Sequence, residues 1–200
     1  MKNEQVKALV LQSLEHEKGG IEIYQAALKC VVNSDLEEEW KTYLEQTRAH
    51  VTALEGICKA MRIDAKQETP GRAVVRGIGK ALVQAMTTAL SAGDRAAAEI
   101  VACECVVLAE TKDHADWELL GKCAEHLSGA EAEALQTAYD EIEDQEDEHL
   151  YHTRGWCREL WIQALGMNAV LPPPEERQHV KTAIGAARAE QSAERSRFDP

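Results

Sequence analysis

Within Glu146-Asp-Glu-His149 a carboxylate and an imidazole stand three residues apart in an acidic, helix-forming stretch. On an α-helix, positions i and i+3 share a face. One turn would thus offer a metal both an oxygen and a nitrogen donor, the repeated element of di-iron and di-manganese carboxylate sites. Three more residues of ligand type, Glu17, His50 and Glu110, interrupt apolar stripes midway along other long helical segments. Bare carboxylates and imidazoles are costly to bury, so groups of this kind need partners or a cation. Such donors with open positions suit iron, with manganese second.

Singly, each residue has a plainer reading. A helix Glu such as Glu17 is more often buried against Tyr or Lys, and a lone core histidine is more often hydrogen-bonded than metal-bound. Register argues for the set. In an antiparallel helical hairpin, residues equidistant from the turn lie at equal depth. The midpoint of positions 17 and 50 falls between Asn33 and Ser34, inside one turn. The midpoint of 110 and 149 falls between Gly129 and Ala130, inside another. Both pairs therefore sit about 16 to 20 residues, or about 24–30 Å, from their turns.

The elements that must position these residues are bracketed by chemistry. A first helix runs from about Gln5 to Val32, weakened at Gly19-Gly20. Ser34 with Glu37 reads as a capping box opening a second helix to about Met61. Thr69-Pro70 supplies an N-cap and a first-turn proline for a crossover helix over about 70–91. Asp94 caps a third main helix, about Arg95 to His126, whose inward stripe reads Cys103, Val107, Glu110, His114 and Trp117. Ser128 with Glu131 forms a second capping box before a fourth main helix that Gly166 stops. The expected layout is a bundle over 1–166 and a Pro-rich tail over 167–200. One further helix is expected in the tail, from Glu175 to Glu190, packing loosely or making a subunit contact. His16, His126, His152 and His179 fall off the inner stripes and read as surface residues, and Trp117 and Trp156 as core filler.

Composition agrees with an all-α chain, because helix formers dominate and β-branched or aromatic runs are nearly absent. The net charge of −13 repels phosphate backbones and anionic lipid while attracting small cations, so neither nucleic acid nor membrane is an expected partner. The six cysteines form no Cys-x-x-Cys, which removes zinc-ribbon and rubredoxin-type sites and leaves reduced, partly buried thiols. With no signal-like or membrane-length apolar stretch, a cytoplasmic protein is expected.

These residues resemble the ferritin-like superfamily over about positions 5–165. In ferritins and rubrerythrins a metal-binding Glu on the first helix is followed seven residues later by Tyr. Glu17 and Tyr24 have that spacing, Glu110 and Trp117 look like its counterpart, and Glu146 with His149 matches the Glu-x-x-His of the second hairpin. The resemblance implies an all-α four-helix bundle with a long helix-containing crossover and two iron ions, manganese being the alternative. Glu17 and Glu110 would serve as terminal or bridging carboxylates, Glu146 as a bridge, and His50 and His149 as one nitrogen per metal. Tyr24 would hydrogen-bond a ligand or donate one electron. The implied activity is oxidation of iron with reduction of O2 or H2O2, or oxygenation of a small organic molecule, with electrons from an external donor. A homodimer is the expected assembly.

One departure stands out. The second helix reads Thr47-Arg-Ala-His50 where the family has Glu-x-x-His. Leu44-Glu45-Gln46-Thr47 is similar to a stress-associated bacterial branch, but Glu45 points about 200° away from position 47 and cannot replace the missing carboxylate. His114, one turn past Glu110, is expected to compensate as an extra nitrogen ligand in an asymmetric site. The alternatives are a non-enzymatic, stress-associated bundle with a degenerate site, or an iron-storage protein.

Overall fold

A computed structural model describes residues 3–198, and among them every regular element is a helix. The elements are α1 (Asn3–Cys30), α2 (Ser34–Ala60), α3 (Pro70–Ser91), α4 (Arg95–His126), α5 (Ala130–Ala164), α6 (Pro174–Arg177) and α7 (Ala183–Phe198). No described helix is long and apolar enough to cross a membrane.

Helices α1 and α2 form one antiparallel hairpin and α4 and α5 a second. Each helix of one pair packs on a helix of the other, α1 on α4 and α2 on α5, so four long helices close a ring. The crossover helix α3 lies against α1 and α4. It is fixed there chemically: the buried Arg72 donates from Nε and Nη2 to Glu15 of α1 at 3.0 and 2.6 Å, and from Nη1 to the carbonyls of Ala65 and Gln67.

Local chemistry sets the helix ends. Thr69 caps α3 through the Arg72 amide, and Asp94 caps α4 through the Ala97 amide at 3.0 Å, both as the sequence implies. The cap of α2 is Asn33, whose Oδ1 accepts from Asp35 N at 2.9 Å, with Ser34 inside the helix instead of capping it. Asn serves as well as Ser at that position. Its own amide and that of Val32 donate to the buried carboxylate of Glu99, which ties the first turn to α4. Helix α5 starts after Gly129 at φ +68° with no side-chain cap, so no capping box forms at Ser128.

The tail is docked instead of loose. The expected single helix is divided into α6 and α7, with His179 at φ +48° in the break. Arg158 of α5 clamps Glu175 at 2.7 and 3.0 Å, and Arg197 of α7 pairs with the buried Glu159. At Gly155 a Cβ would lie 2.6 Å from Glu175 Oε2, so a side chain there would push the tail away.

Two apolar clusters fill the ring at different heights. One contains Tyr24, Leu36, Trp40, Cys103 and Trp156 on the side of the α1–α2 turn. The other contains Leu14, Leu54, Trp117, Leu120 and Leu135 on the side of the α4–α5 turn. Burying large side chains of this kind contributes about 1.5–3 kcal/mol each, enough to hold a polar layer in place between them.

Candidate metal centre

That polar layer contains five of the six proposed ligands. Glu17, His50, Glu110, Glu146 and His149 each expose 3% or less of their surface and come from all four ring helices. Donor atoms of Glu17, His50 and Glu146 all lie within 4.8 Å of one another, and so do those of Glu110, Glu146 and His149. Glu146 is common to both groups.

His50 Nδ1 stands 3.0 Å from Glu146 Oε1 and 3.3 Å from Glu17 Oε1. His149 Nδ1 stands 3.5 Å from Glu110 Oε2 and 3.6 Å from Glu146 Oε1. Donors held about 2.0–2.2 Å from a first-row cation are themselves about 3 Å apart, so these separations suit shared coordination. The two rings lie 25° from parallel with centroids 5.7 Å apart.

Outer partners orient the donors. Gln145 donates from Nε2 to the Glu141 carbonyl, which turns its Oε1 toward His50 Nε2 at 3.0 Å. His149 Nε2 faces Gln46 Oε1 at 2.8 Å. An amide oxygen only accepts, so each imidazole carries N–H at Nε2 and turns Nδ1 to the carboxylates. Trp117 Nε1 donates to Glu17 Oε1 at 2.8 Å, and Tyr24 OH donates to Glu110 Oε1 at 2.9 Å. Each aromatic residue thus serves the glutamate on the other helix. Tyr43 packs its ring on His149 with centroids 4.1 Å apart.

The residual electrostatics favour a cation. Among the described residues Glu17 Oε2, Glu110 Oε2 and Glu146 Oε2 are buried without a hydrogen-bond partner, and His50 Nδ1 meets only the Glu146 and Glu17 carboxylates. Burial alone would depress the His50 imidazole, but the Glu17 and Glu146 carboxylates outweigh it and push the pKa up to about 11. Glu146 is raised to about 6 by burial and by Glu17 and Glu110, against the pull of His50 and His149. For Glu110, burial is overcome by His149 and by the Tyr24 hydrogen bond, and its pKa falls below the ordinary carboxylate value. Burial and the Glu110 charge hold the Tyr24 phenol well above its usual range.

His114 is a correction. It lies outside both donor groups, half-buried, with Nε2 2.7 Å from Asp147 Oδ1. The buried face of α4 runs through Val106, Glu110, Asp113, Trp117 and Leu120, so position 113 faces inward where 114 was expected. Asp113 is 4% exposed, its Oδ1 lacks a partner, and burial together with Glu17, Glu146 and Glu110 raises its pKa well above normal. Its place three residues after Glu110 was a visible signal, as was the Gln-x-x-x-His spacing repeated at Gln46 and His50 and at Gln145 and His149.

His16 and His152 are also corrected, being buried instead of on the surface. His16 Nε2 lies 3.0 Å from the Ala109 carbonyl. His152 Nδ1 lies 2.8 Å from Glu39 Oε1, which also accepts from Tyr43 OH at 2.6 Å. Trp156, read as filler, donates to Glu39 Oε2 at 2.8 Å.

No family model, curated protein or solved structure matches this chain.

Proposed function

We propose that the chain is a ferritin-like di-metal oxidoreductase whose centre holds two iron ions, or manganese in their place, and reacts with O2 or H2O2. One observation carries the reading. Three buried carboxylate oxygens without hydrogen-bond partners, from Glu17, Glu110 and Glu146, converge with the imidazoles of His50 and His149 in one layer between two apolar clusters. Buried ionisable groups left in that condition are costly, and a cation pair would satisfy them together.

Glu17 and His50 would hold one cation and Glu110 and His149 the other, with Glu146 between them. When bound, an iron pair supplies electrons to the oxidant, and re-reduction needs an external donor. The chain's own part is orientation and exclusion. Gln46 and Gln145 fix the imidazole tautomers, and Trp117 and Tyr24 hold Glu17 and Glu110 in place. Partners of this kind raise ligand basicity and set orientation. Tyr24 keeps its proton on the phenol oxygen facing Glu110, and the apolar clusters keep bulk water from both ends of the layer.

Metal analysis of protein purified without chelator, combined with oxygen-consumption assays on wild type and His149→Ala, tests the proposal. Two equivalents of metal and oxygen uptake lost in the variant are expected. A chain that takes up neither Fe2+ nor Mn2+ would sink it.

The close packing of Thr47 on Gly20, where the family pattern has a carboxylate, favours a second reading: a non-enzymatic bundle with a degenerate site. It is distinguished by metal uptake without any reaction with oxidant.

A further inference from the structure

A cavity of about 250 Å³ lies between α4, α5 and the segment that precedes α7. Glu146 and Trp117 line it on the inside, Glu118 and Glu143 on the outside, and Lys181 and Thr182 form part of its wall. Glu146 is 1% exposed and its Oε2 has no hydrogen-bond partner among the described residues. Since Glu146 belongs to both donor groups, any ion it captures from the cavity is already at the centre.

We infer that this cavity is the route by which a hydrated divalent cation enters the centre, with Glu118 and Glu143 as outer carboxylates and Glu146 as the acceptor at its floor. The inference rests on the metal reading above.

Charge supports the assignment. The two basic side chains on the walls are already matched: Lys181 Nζ lies 3.0 Å from Asp144 and 3.3 Å from Glu148, and His114 pairs with Asp147. The exposed Glu118 has no ion pair among the described residues, and Glu143 accepts only the Tyr139 hydroxyl, so the uncommitted charge is negative. Clefts lined by one sign of charge concentrate the opposite ion and speed its arrival. The size also fits. Six waters at about 30 Å³ each would occupy about 180 Å³, whereas drug-sized ligands need pockets of about 300–1,000 Å³.

The walls are held in shape. Tyr139 lies so close to α4 that a Cβ on Gly121 would be 2.7 Å from its ring. The ion pairs of Lys181 pin the outer wall to α5. The docked tail thus acquires a function, as the rim of the entrance.

Stopped-flow quenching of tryptophan fluorescence by Co2+ provides the test, because Trp117 donates to the ligand Glu17. Glu118→Gln/Glu143→Gln should slow association about 5–10-fold at low ionic strength, and less as salt screens the mouth. Final stoichiometry by equilibrium dialysis should stay at the wild-type value. Thr182→Trp should slow entry by obstruction, with circular dichroism confirming the fold. Asp35→Asn/Glu38→Gln makes the same change in net charge beside the α1–α2 turn and should leave the rate unchanged. Equal rates in all variants with full stoichiometry overturn the entry route alone, as does equal slowing by both double variants. A wild-type chain that binds no Co2+, Fe2+ or Mn2+ overturns the metal centre and the route together.

Discussion

Gly20 and Thr47 meet across the first hairpin so closely that a Cβ added at Gly20 would lie 3.2 Å from Thr47 Cγ2. The second hairpin has a different pair at the corresponding heights. By their contacts, Glu17 answers to Glu110, Tyr24 to Trp117, Gln46 to Gln145 and His50 to His149. In that register Gly20 answers to Asp113 and Thr47 to Glu146. One half of the centre is therefore closed by small residues in van der Waals contact, and the other carries two carboxylates. The acid absent at position 47 has its counterweight on α4, at position 113.

Asp113 is the first place to test this asymmetry. Its pKa is raised well above the ordinary value, first by burial and then by Glu17, Glu146 and Glu110. A carboxyl raised on folding binds its proton more tightly in the native state, so stability is full below the unfolded pKa and declines as pH rises above it. In metal-free protein Asp113→Asn should match wild type near pH 4. By pH 8 it should be more stable by about 1–3 kcal/mol, the scale of a buried polar group lacking compensation. Urea unfolding at the two pH values measures the difference. An advantage at pH 4 that does not grow would contradict it.

Glu146 makes the complementary prediction. It is the one carboxylate common to both donor groups, and its Oε2 has no hydrogen-bond partner among the described residues. Glu146→Gln should leave the melting temperature of metal-free protein unchanged or higher, because a buried charge is removed. The rise on adding excess Fe2+ under anaerobic conditions should largely disappear, since stabilisation by a ligand follows its affinity for the native state. Calorimetry of both proteins with and without metal decides the matter. A metal-induced rise equal to that of wild type would remove Glu146 from the ligand set.

The ring of helices and the depth of the five donors were legible in the sequence, because hairpin register constrains both and turn residues mark its ends. Legibility failed where a 3- or 4-residue step had to be chosen. Taking 110 to 114 instead of 110 to 113 turned the stripe of α4 toward His114 and hid Asp113. His16 and His152 were missed for a related reason. A helix packed against neighbours on several sides buries more than one stripe, and α1 buries Glu15, His16 and Glu17 in succession. The docking of the tail depends on Arg158 meeting Glu175 and Arg197 meeting Glu159 across long separations, which no local pattern records.

The tail also carries a pH dependence of its own. Burial raises Glu176 to about 7, reinforced by Glu39, while the Trp156 N–H holds it down. Native protein then binds a proton that the unfolded chain has released with the ordinary glutamate pKa of 4.5, so wild-type stability falls as pH rises between about 4.5 and 7. Glu176→Gln keeps an oxygen for Trp156 and should remove that part of the fall. Its melting temperature should be close to wild type at pH 4 and a few degrees higher at pH 8. Equal differences at both pH values would show that Glu176 is not the titrating group.

The two glutamines provide the sharpest test of the centre's pairing. Gln145 belongs to α5 yet orients His50 of α2, whereas Gln46 of α2 orients His149 of α5. Loss of such a partner typically costs 10–100-fold in metal affinity. If the centre holds two cations as proposed, Gln145→Leu should therefore weaken binding at the Glu17–His50 side, and Gln46→Leu at the Glu110–His149 side. Each variant should retain one tight equivalent in a two-site Co2+ titration followed by visible absorption. Combining Gln145→Leu with His50→Ala should add little to the single histidine change, because both act on one donor, whereas Gln145→Leu with His149→Ala should impair both sites. If instead each glutamine couples to the histidine on its own helix, the crossed pairing is wrong and the imidazoles must be oriented by other groups.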